Sequence, residues 1–253
     1  MLLCVDIGNT NISLGLYRGD ELVHDWRMRT DTRMTADELA LGMRGMLGPL
    51  ADQVTGVSAL STVPAVLREL RVMLGRYYGD VPRIVVQQGV RTGVPLLVDN
   101  PREVGGDRLV NTMAAHHLFG TACVVVDFGT SINYDVVSAQ GEFLGGIIAP
   151  GVEISMEALH QRAAKLVRVD LEEPRGVIGK STIDSVRSGV VYGFAGQVDG
   201  IVERVRDELG EGTRAIATGG LAEFIVPYCE SIDETDDLLT LTGLRLLYER
   251  NAG

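Results

Sequence analysis

Apolar residues fall along this chain in short runs separated by polar residues and glycines. Runs at 2–7, 12–17 and 22–29 have the length of strands, and Arg18-Gly19-Asp20 makes a tight turn between the last two. A helix follows over 35–47, with Thr35 as N-cap and Glu38 three residues on as the partner of a capping box. Positions 54–60 form a strand. Val63-Pro64 opens a helix in which Leu67, Leu70, Leu74 and Tyr77 keep helical spacing, and a short strand at 83–86 follows. After a helix over 107–118 the order begins again. Strands are predicted at 122–127, 132–138 and 143–149, with Gln140-Gly141 turning the last pair. Helices near 151–164, 183–209 and 236–249 and a short strand at 215–217 complete the chain. A β-β-β-α-β-α order found twice predicts an α/β protein of two duplicated domains, 1–118 and 119–253, with a cleft between them.

Composition narrows the partners. The 253 residues carry a net charge of −11, which argues against nucleic acid and anionic membranes, both of which select basic faces. An anionic substrate must then be held by local arginines, backbone N–H groups and metal. Cys4, Cys123 and Cys229 have no metal or redox spacing, and Cys4 and Cys123 fall inside predicted strands as small buried residues. Unpatterned cysteines, an N-terminus that enters a strand at once and the lack of a membrane-length apolar run lead us to expect a cytoplasmic protein. Met43, Met46 and Met73 read as core filler.

The two halves open alike. Val5-Asp6-Ile7-Gly8-Asn9-Thr10 and Val126-Asp127-Phe128-Gly129-Thr130 each place an acid at the end of a buried strand and a glycine in the turn beyond. Glycine lets the backbone approach a ligand closely. Exposed N–H groups and hydroxyls there can hold phosphate oxygens, and the acid can hold a cation bound to them. Alone, the first loop is equally well a solvated hairpin turn. In Gly105-Gly106-Asp107-Arg108 two glycines run into a helix, where N–H groups favour an anion; the structural alternative is Asp107 as a helix cap. Thr218-Gly219-Gly220 carries a strand into a helix. Gly179-Lys180-Ser181-Thr182 imitates the end of a Walker A loop, but Pro174 stands where that motif needs glycine, so we reject a P-loop.

Taken in order, the segments from Asp6 to Asn11, Asp99 to Arg108, Asp127 to Thr130, Gly145 to Gly151, Gly179 to Thr182 and Thr218 to Gly220 closely resemble type III pantothenate kinase, of the acetate and sugar kinase/Hsp70/actin superfamily. The resemblance runs from residue 1 to about 245 and implies two ribonuclease H-like (actin-like ATPase) domains. It further implies ATP-dependent phosphorylation of pantothenate to 4′-phosphopantothenate, the first step of coenzyme A biosynthesis. Asp107 is then the catalytic base, and Gly105, Gly106, Arg108 and Thr182 bind the substrate, Thr182 across the interface of a homodimer. Asp6, Gly8, Asn9, Thr10, Asn11, Thr130, Gly219 and Gly220 bind ATP. Asp6 holds Mg2+ and Asp127 a monovalent cation, K+ or NH4+. Gly145-Gly146 and Pro150-Gly151 shape the cleft wall, and His160 faces the cleft.

The sequence departs from the family pattern after Thr130. Ile132 and Asn133 stand where the family usually carries hydroxyls, so phosphate hydrogen bonds there are lost or fall to Ser131 and Asn133. This departure keeps a second reading open, a non-catalytic nucleotide- or pantothenate-binding transcriptional accessory factor of the same fold.

Overall fold

Period-two alternation builds the first sheet. In β1 (Leu2–Ile7) and β2 (Asn11–Arg18), Leu3, Val5, Ile7, Ile12, Leu14 and Leu16 turn to one face and are fully buried. Against that face pack Leu39 and Met43 of α1 (Ala36–Leu47) and Leu70 and Met73 of α2 (Pro64–Tyr77). β3 (Glu21–Arg29) pairs antiparallel with β2, while β4 (Gly56–Ser61) runs parallel to β1 and β5 (Arg83–Val85) parallel to β4. The strand order is β3-β2-β1-β4-β5. The structure, a computed structural model, describes residues 1–87, 90–163 and 166–251.

The predicted capping box of α1 is present. The Thr35 hydroxyl accepts from the Glu38 N–H at 3.3 Å, and the Glu38 carboxylate accepts from the Thr35 N–H at 2.8 Å. One predicted face of α2 is corrected. Tyr77 is half exposed, and its hydroxyl donates to Asp37 at 2.7 Å; Val66, Leu70, Met73 and Leu74 face the core. That bond, with Arg76 beside it, holds the Asp37 carboxyl below the usual carboxylate range. Met46 is also exposed, unlike Met43 and Met73.

The second sheet repeats the first. β6 (Cys123–Phe128) pairs antiparallel with β7 (Ser131–Val137) and parallel with β9 (Arg214–Thr218), and β7 pairs with β8 (Phe143–Pro150). A two-residue β10 (Glu234–Thr235) closes the order β8-β7-β6-β9-β10, strand for strand the order of the first sheet. α3 (Gly106–Phe119) belongs for most of its length with the first sheet; α4 (Val152–Arg162), the 28-residue α5 (Thr182–Leu209) and the single turn α6 (Ala222–Ile225) complete this part. Of the helix predicted over 151–164, Ala164 lies outside the described residues.

By contacts, one unit comprises Met1–Val94, Asn100–Ala114 and the chain from Leu239, and the other Pro95–Asp99 and Ala115–Leu238. A cut at 118/119 assigns the last helix, α7 (Leu239–Asn251), to the second half, whereas α7 lies against β1 and β4. Periodicity shows that a helix has an apolar stripe but not which sheet that stripe covers. Leu241, Leu244 and Leu247 are buried there, and Arg245, almost buried, pairs with Glu249 at 2.7 Å. The bare α-carbon of Gly243 sits against the Val110 carbonyl of α3, where a methyl group would overlap backbone.

This contact sets opposite signs for two like substitutions. Gly243→Ala is expected to destabilise by about 1–3 kcal/mol through overpacking. Gly45→Ala, in α1 where an added Cβ meets nothing within 4 Å, is expected to stabilise by up to about 1 kcal/mol from helix propensity. Urea midpoints of the two variants check the pair.

Candidate functional site

Each sheet ends its first strand in an acid. Asp6 lies opposite Ser13 and Asp127 opposite Asn133, one residue before the pairs Ile7–Ile12 and Phe128–Ile132. Those pairs are buried in the core, so alternation turns Asp6 and Asp127 to the opposite face of their sheets. The first turn is one residue longer than the second. Its Gly8 N–H donates to the Asn11 carbonyl at 2.9 Å, while the Gly129 N–H donates to the Ser131 carbonyl at 3.0 Å. Asn9, Thr10 and Thr130 are exposed.

Ile132 is fully buried with Val124, Val126 and Tyr134. Its register partner in the first hairpin is Ile12, buried in the same way. A side chain at this position packs the core and does not reach a ligand at the turn, so the loss of a hydroxyl here removes no such contact. Asn133 accepts the Ser131 hydroxyl at 3.1 Å.

The second turn is closed in by two glycines. Gly219 follows β9, whose Thr218 lies opposite Asp127, and has φ +95°. A Cβ on Gly219 would stand 2.7 Å from the Asp127 Oδ1 and from the Phe128 N and O. The structure therefore brings Asp127, Thr130 and Gly219 together in one unit, with Gly220 adjoining. An added Cβ on Gly220 meets nothing within 4 Å. Gly151, the N-cap of α4, lies against the carbonyls of Gly129 and Thr130 so closely that a methyl group would overlap them.

In the other unit, Gly105-Gly106-Asp107-Arg108 enters α3 as predicted. The Asp107 carboxylate folds over Gly105 into the space a Cβ would take, and Gly106 lies against Val86, which follows β5. A Cβ on Gly105 would displace the Asp107 carboxylate, and one on Gly106 would press on the Val86 side chain. Asp107 and Arg108 are half-buried, and the Arg108 carbonyl accepts the Thr112 hydroxyl at 2.9 Å. Ser181, not Thr182, caps α5, its hydroxyl accepting from the Asp184 N–H at 3.1 Å. Thr182 is left exposed in the first turn.

Burial pushes the Cys123 and Cys229 thiols up to about 12, and raises Cys4 further, so none of the cysteines is a nucleophile at neutral pH. His160 donates its Nδ1–H to the Leu166 carbonyl, 2.9 Å away, and lines a cavity of about 300 Å³ between α4, α5 and residues 166–171. A second cavity of about 360 Å³ lies between β8 and α5. None of the residues singled out above as binding or catalytic lines either cavity.

The residue that sequence reading missed is Thr30, just past β3. Its N–H donates to the Thr10 carbonyl at 2.9 Å and its hydroxyl to the Gly8 carbonyl at 2.7 Å. The only signal for it was a hydroxyl residue directly after a strand that pairs with the turn-bearing hairpin.

Twin mixed sheets with an acid and a glycine turn at the same register define the fold, two duplicated α/β domains of the ribonuclease H-like (actin-like ATPase) kind in one chain. Solved structures agree on the fold. A conserved Campylobacter jejuni protein assigned to the Baf transcriptional-activator family matches with a TM-score of 0.62 at 18% identity, over 99% of this chain and 98% of that one. The activator of 2-hydroxyisocaproyl-CoA dehydratase from Clostridium difficile, with bound ADPNP, matches with a TM-score of 0.58 at 12% identity, over 99% and 96%.

Sequence comparison then fixes the family. The profile of type III pantothenate kinase matches residues 2–204. A type III pantothenate kinase from Saccharopolyspora erythraea is 62% identical, over 100% of both chains. This chain belongs to the type III pantothenate kinase family. The accessory-factor alternative is not favoured, because the relatives at 56–62% identity carry the kinase name.

Contacts separate the two glycines after β9. Gly219→Ala is expected to destabilise by about 1–3 kcal/mol, from a Cβ forced onto Asp127 and Phe128 at positive φ. Gly220→Ala is expected to leave stability within about 0.5 kcal/mol, so any loss of ATP affinity in that variant reports contact with the nucleotide. Thermal unfolding and ATP titration of both variants check this.

Proposed function

We infer that this chain transfers the γ-phosphoryl group of ATP to the primary hydroxyl of pantothenate, giving 4′-phosphopantothenate and ADP, the first step of coenzyme A biosynthesis. The observation that carries this reading is full-length identity of 62% to a type III pantothenate kinase. Asp107 is the base. It stands in the first turn of α3, half-buried, with its carboxylate laid over Gly105. From there it takes the proton of the substrate hydroxyl as that oxygen attacks the γ-phosphorus. Arg108, with the backbone of Gly105 and Gly106, holds the substrate. Positioning and charge stabilisation supply most of the rate in such transfers.

Asn9, Thr10, Asn11 and Thr130 hold phosphate oxygens, and Gly219 and Gly220 lie against the nucleoside. Among the described residues no group of three or more His, Cys, Asp or Glu is arranged for a metal. Mg2+ on a nucleotide needs only one or two carboxylates, the rest of its shell being water and phosphate, and Asp6 fits that donor set. Mg2+ bound there would neutralise phosphate charge. The Asp127 carboxylate and the Phe128 carbonyl, both turned to the bare α-carbon of Gly219, are hard oxygen donors that fit K+ or NH4+. The protein works as a homodimer in the cytoplasm, with Thr182 reaching the partner's pantothenate. Among the described residues no helix is long and apolar enough to cross a membrane.

Asp107→Asn is expected to lower kcat at least about a hundredfold, with ATP affinity and fold retained. A coupled ADP-release assay with pantothenate, Mg2+ and either K+ or Na+ checks it. Turnover should depend on K+. No turnover by folded wild-type protein with any nucleotide would overturn the assignment. Thr182→Val should raise the KM for pantothenate and leave that for ATP unchanged; an unchanged pantothenate KM would remove Thr182 from the substrate site.

A further inference from the structure

We propose that Thr30 is the positioning residue of the first phosphate loop, setting the loop's N–H groups for ATP through the two carbonyls it holds. The proposal rests on the kinase reading above and assigns a role within it.

The argument starts from peptide geometry. Across a trans peptide the carbonyl of one residue and the N–H of the next point in opposite directions. The chain has no cis peptide among the described residues. The Thr30 hydroxyl takes the Gly8 carbonyl at 2.7 Å, which turns the Asn9 N–H away from Thr30. The Thr30 N–H takes the Thr10 carbonyl at 2.9 Å and fixes the Thr10–Asn11 peptide plane. One residue therefore orients both peptides that flank the tip of the turn. At that tip Asn9 and Thr10 are exposed, and among the described residues no backbone carbonyl takes the N–H of either. A turn with its carbonyls engaged from behind and its N–H groups directed outward is a concavity for an anion. Without the Thr30 hydroxyl, the Gly8 carbonyl is free to swing toward the phosphates and repel them.

The second half shows that the position matters. Strand register matches Gly8 with Gly129, Thr10 with Thr130, and Arg29 with Pro150, so Thr30 corresponds to Gly151. Gly151 also abuts the carbonyls of its turn, those of Gly129 and Thr130, but by close approach of a bare α-carbon. Both halves thus back the turn carbonyls from the residue after the third strand. In the first half a hydroxyl does so, and that contact can be removed by one isosteric change.

The test compares Thr30→Val, which keeps the shape and the backbone N–H but loses the hydroxyl, with Thr30→Ser, which restores it. MgATP is titrated calorimetrically against each variant, and steady-state kinetics give the KM for ATP and for pantothenate separately. Thr30→Val is expected to raise the Kd and KM for ATP about five- to tenfold, with the pantothenate KM within about twofold of wild type and Thr30→Ser restoring ATP binding to within about twofold. An unchanged ATP Kd in Thr30→Val, equal losses for both substrates, or a Ser variant no better than Val would each overturn the proposal. Should Thr30→Val fail to fold, Thr30→Ala takes its place. Failure of both, with Thr30→Ser folded, would make Thr30 a folding residue and also overturn it. Should wild type bind MgATP without phosphorylating pantothenate, the kinase reading fails while the Kd comparison still decides the role of Thr30.

Discussion

The antiparallel pairing of Ile7 with Ile12, and of Phe128 with Ile132, is the constraint from which both turns take their form. All four side chains are buried in their cores. Each gains about 1.5–3 kcal/mol from leaving water. Because strand side chains alternate, a slip by one residue would expose these four and drive Asp6 and Asp127 inward. Burying a carboxylate among apolar side chains costs still more than exposing those side chains to water. Register is thus held from both directions, and with it the place of each acid at the mouth of a glycine turn. The same alternation accounts for Ile132, which takes the core-facing position that Ile12 takes in the other half.

Most of the fold was legible because its strands and helices are strongly periodic. β1 coincides with the predicted run at 2–7, and the capping box of Thr35 and Glu38 starts α1 where local chemistry says it should. What the sequence hid is what depends on distant partners. The apolar stripe of α7 is plain, but its burial on β1 and β4 comes from the chain's return to the first sheet after the whole of the second half in sequence. Tyr77 keeps helical spacing with Leu70 and Leu74, yet a phenol has a polar end, and Asp37 on the neighbouring helix draws it outward. β10, two residues long, is too short for any pattern.

The candidate site was legible to a different depth. Its acids and glycines announce themselves as motif letters, but their reasons differ in ways that letters cannot show. Gly219 and Gly106 are pressed by backbone or side chains, whereas Gly220 faces open space. A glycine pressed by protein is explained by packing. A glycine beside open space is not, and is the better candidate for contact with a ligand. Thr30 carries no motif at all, because its role arises from two long-range bonds to carbonyls that only the paired strands bring within reach.

Fold and family answer separate questions here. Matches at 12–18% identity share the twin sheets, and among them are a dehydratase activator and a protein of a transcriptional-activator family, so the architecture alone does not choose a chemistry. Duplication explains why. It supplies two turns of one design that differ in length and in what encloses them. The first is a residue longer, exposes Asn9 and Thr10, and is braced by a hydroxyl. The second is tighter and is enclosed by Gly151 and Gly219. A longer turn with outward N–H groups suits an extended anion, while a short one with a carboxylate and a carbonyl against a bare α-carbon suits a small cation. The halves share a topology but are not interchangeable, and the asymmetry follows from one inserted residue and from what stands after the third strand.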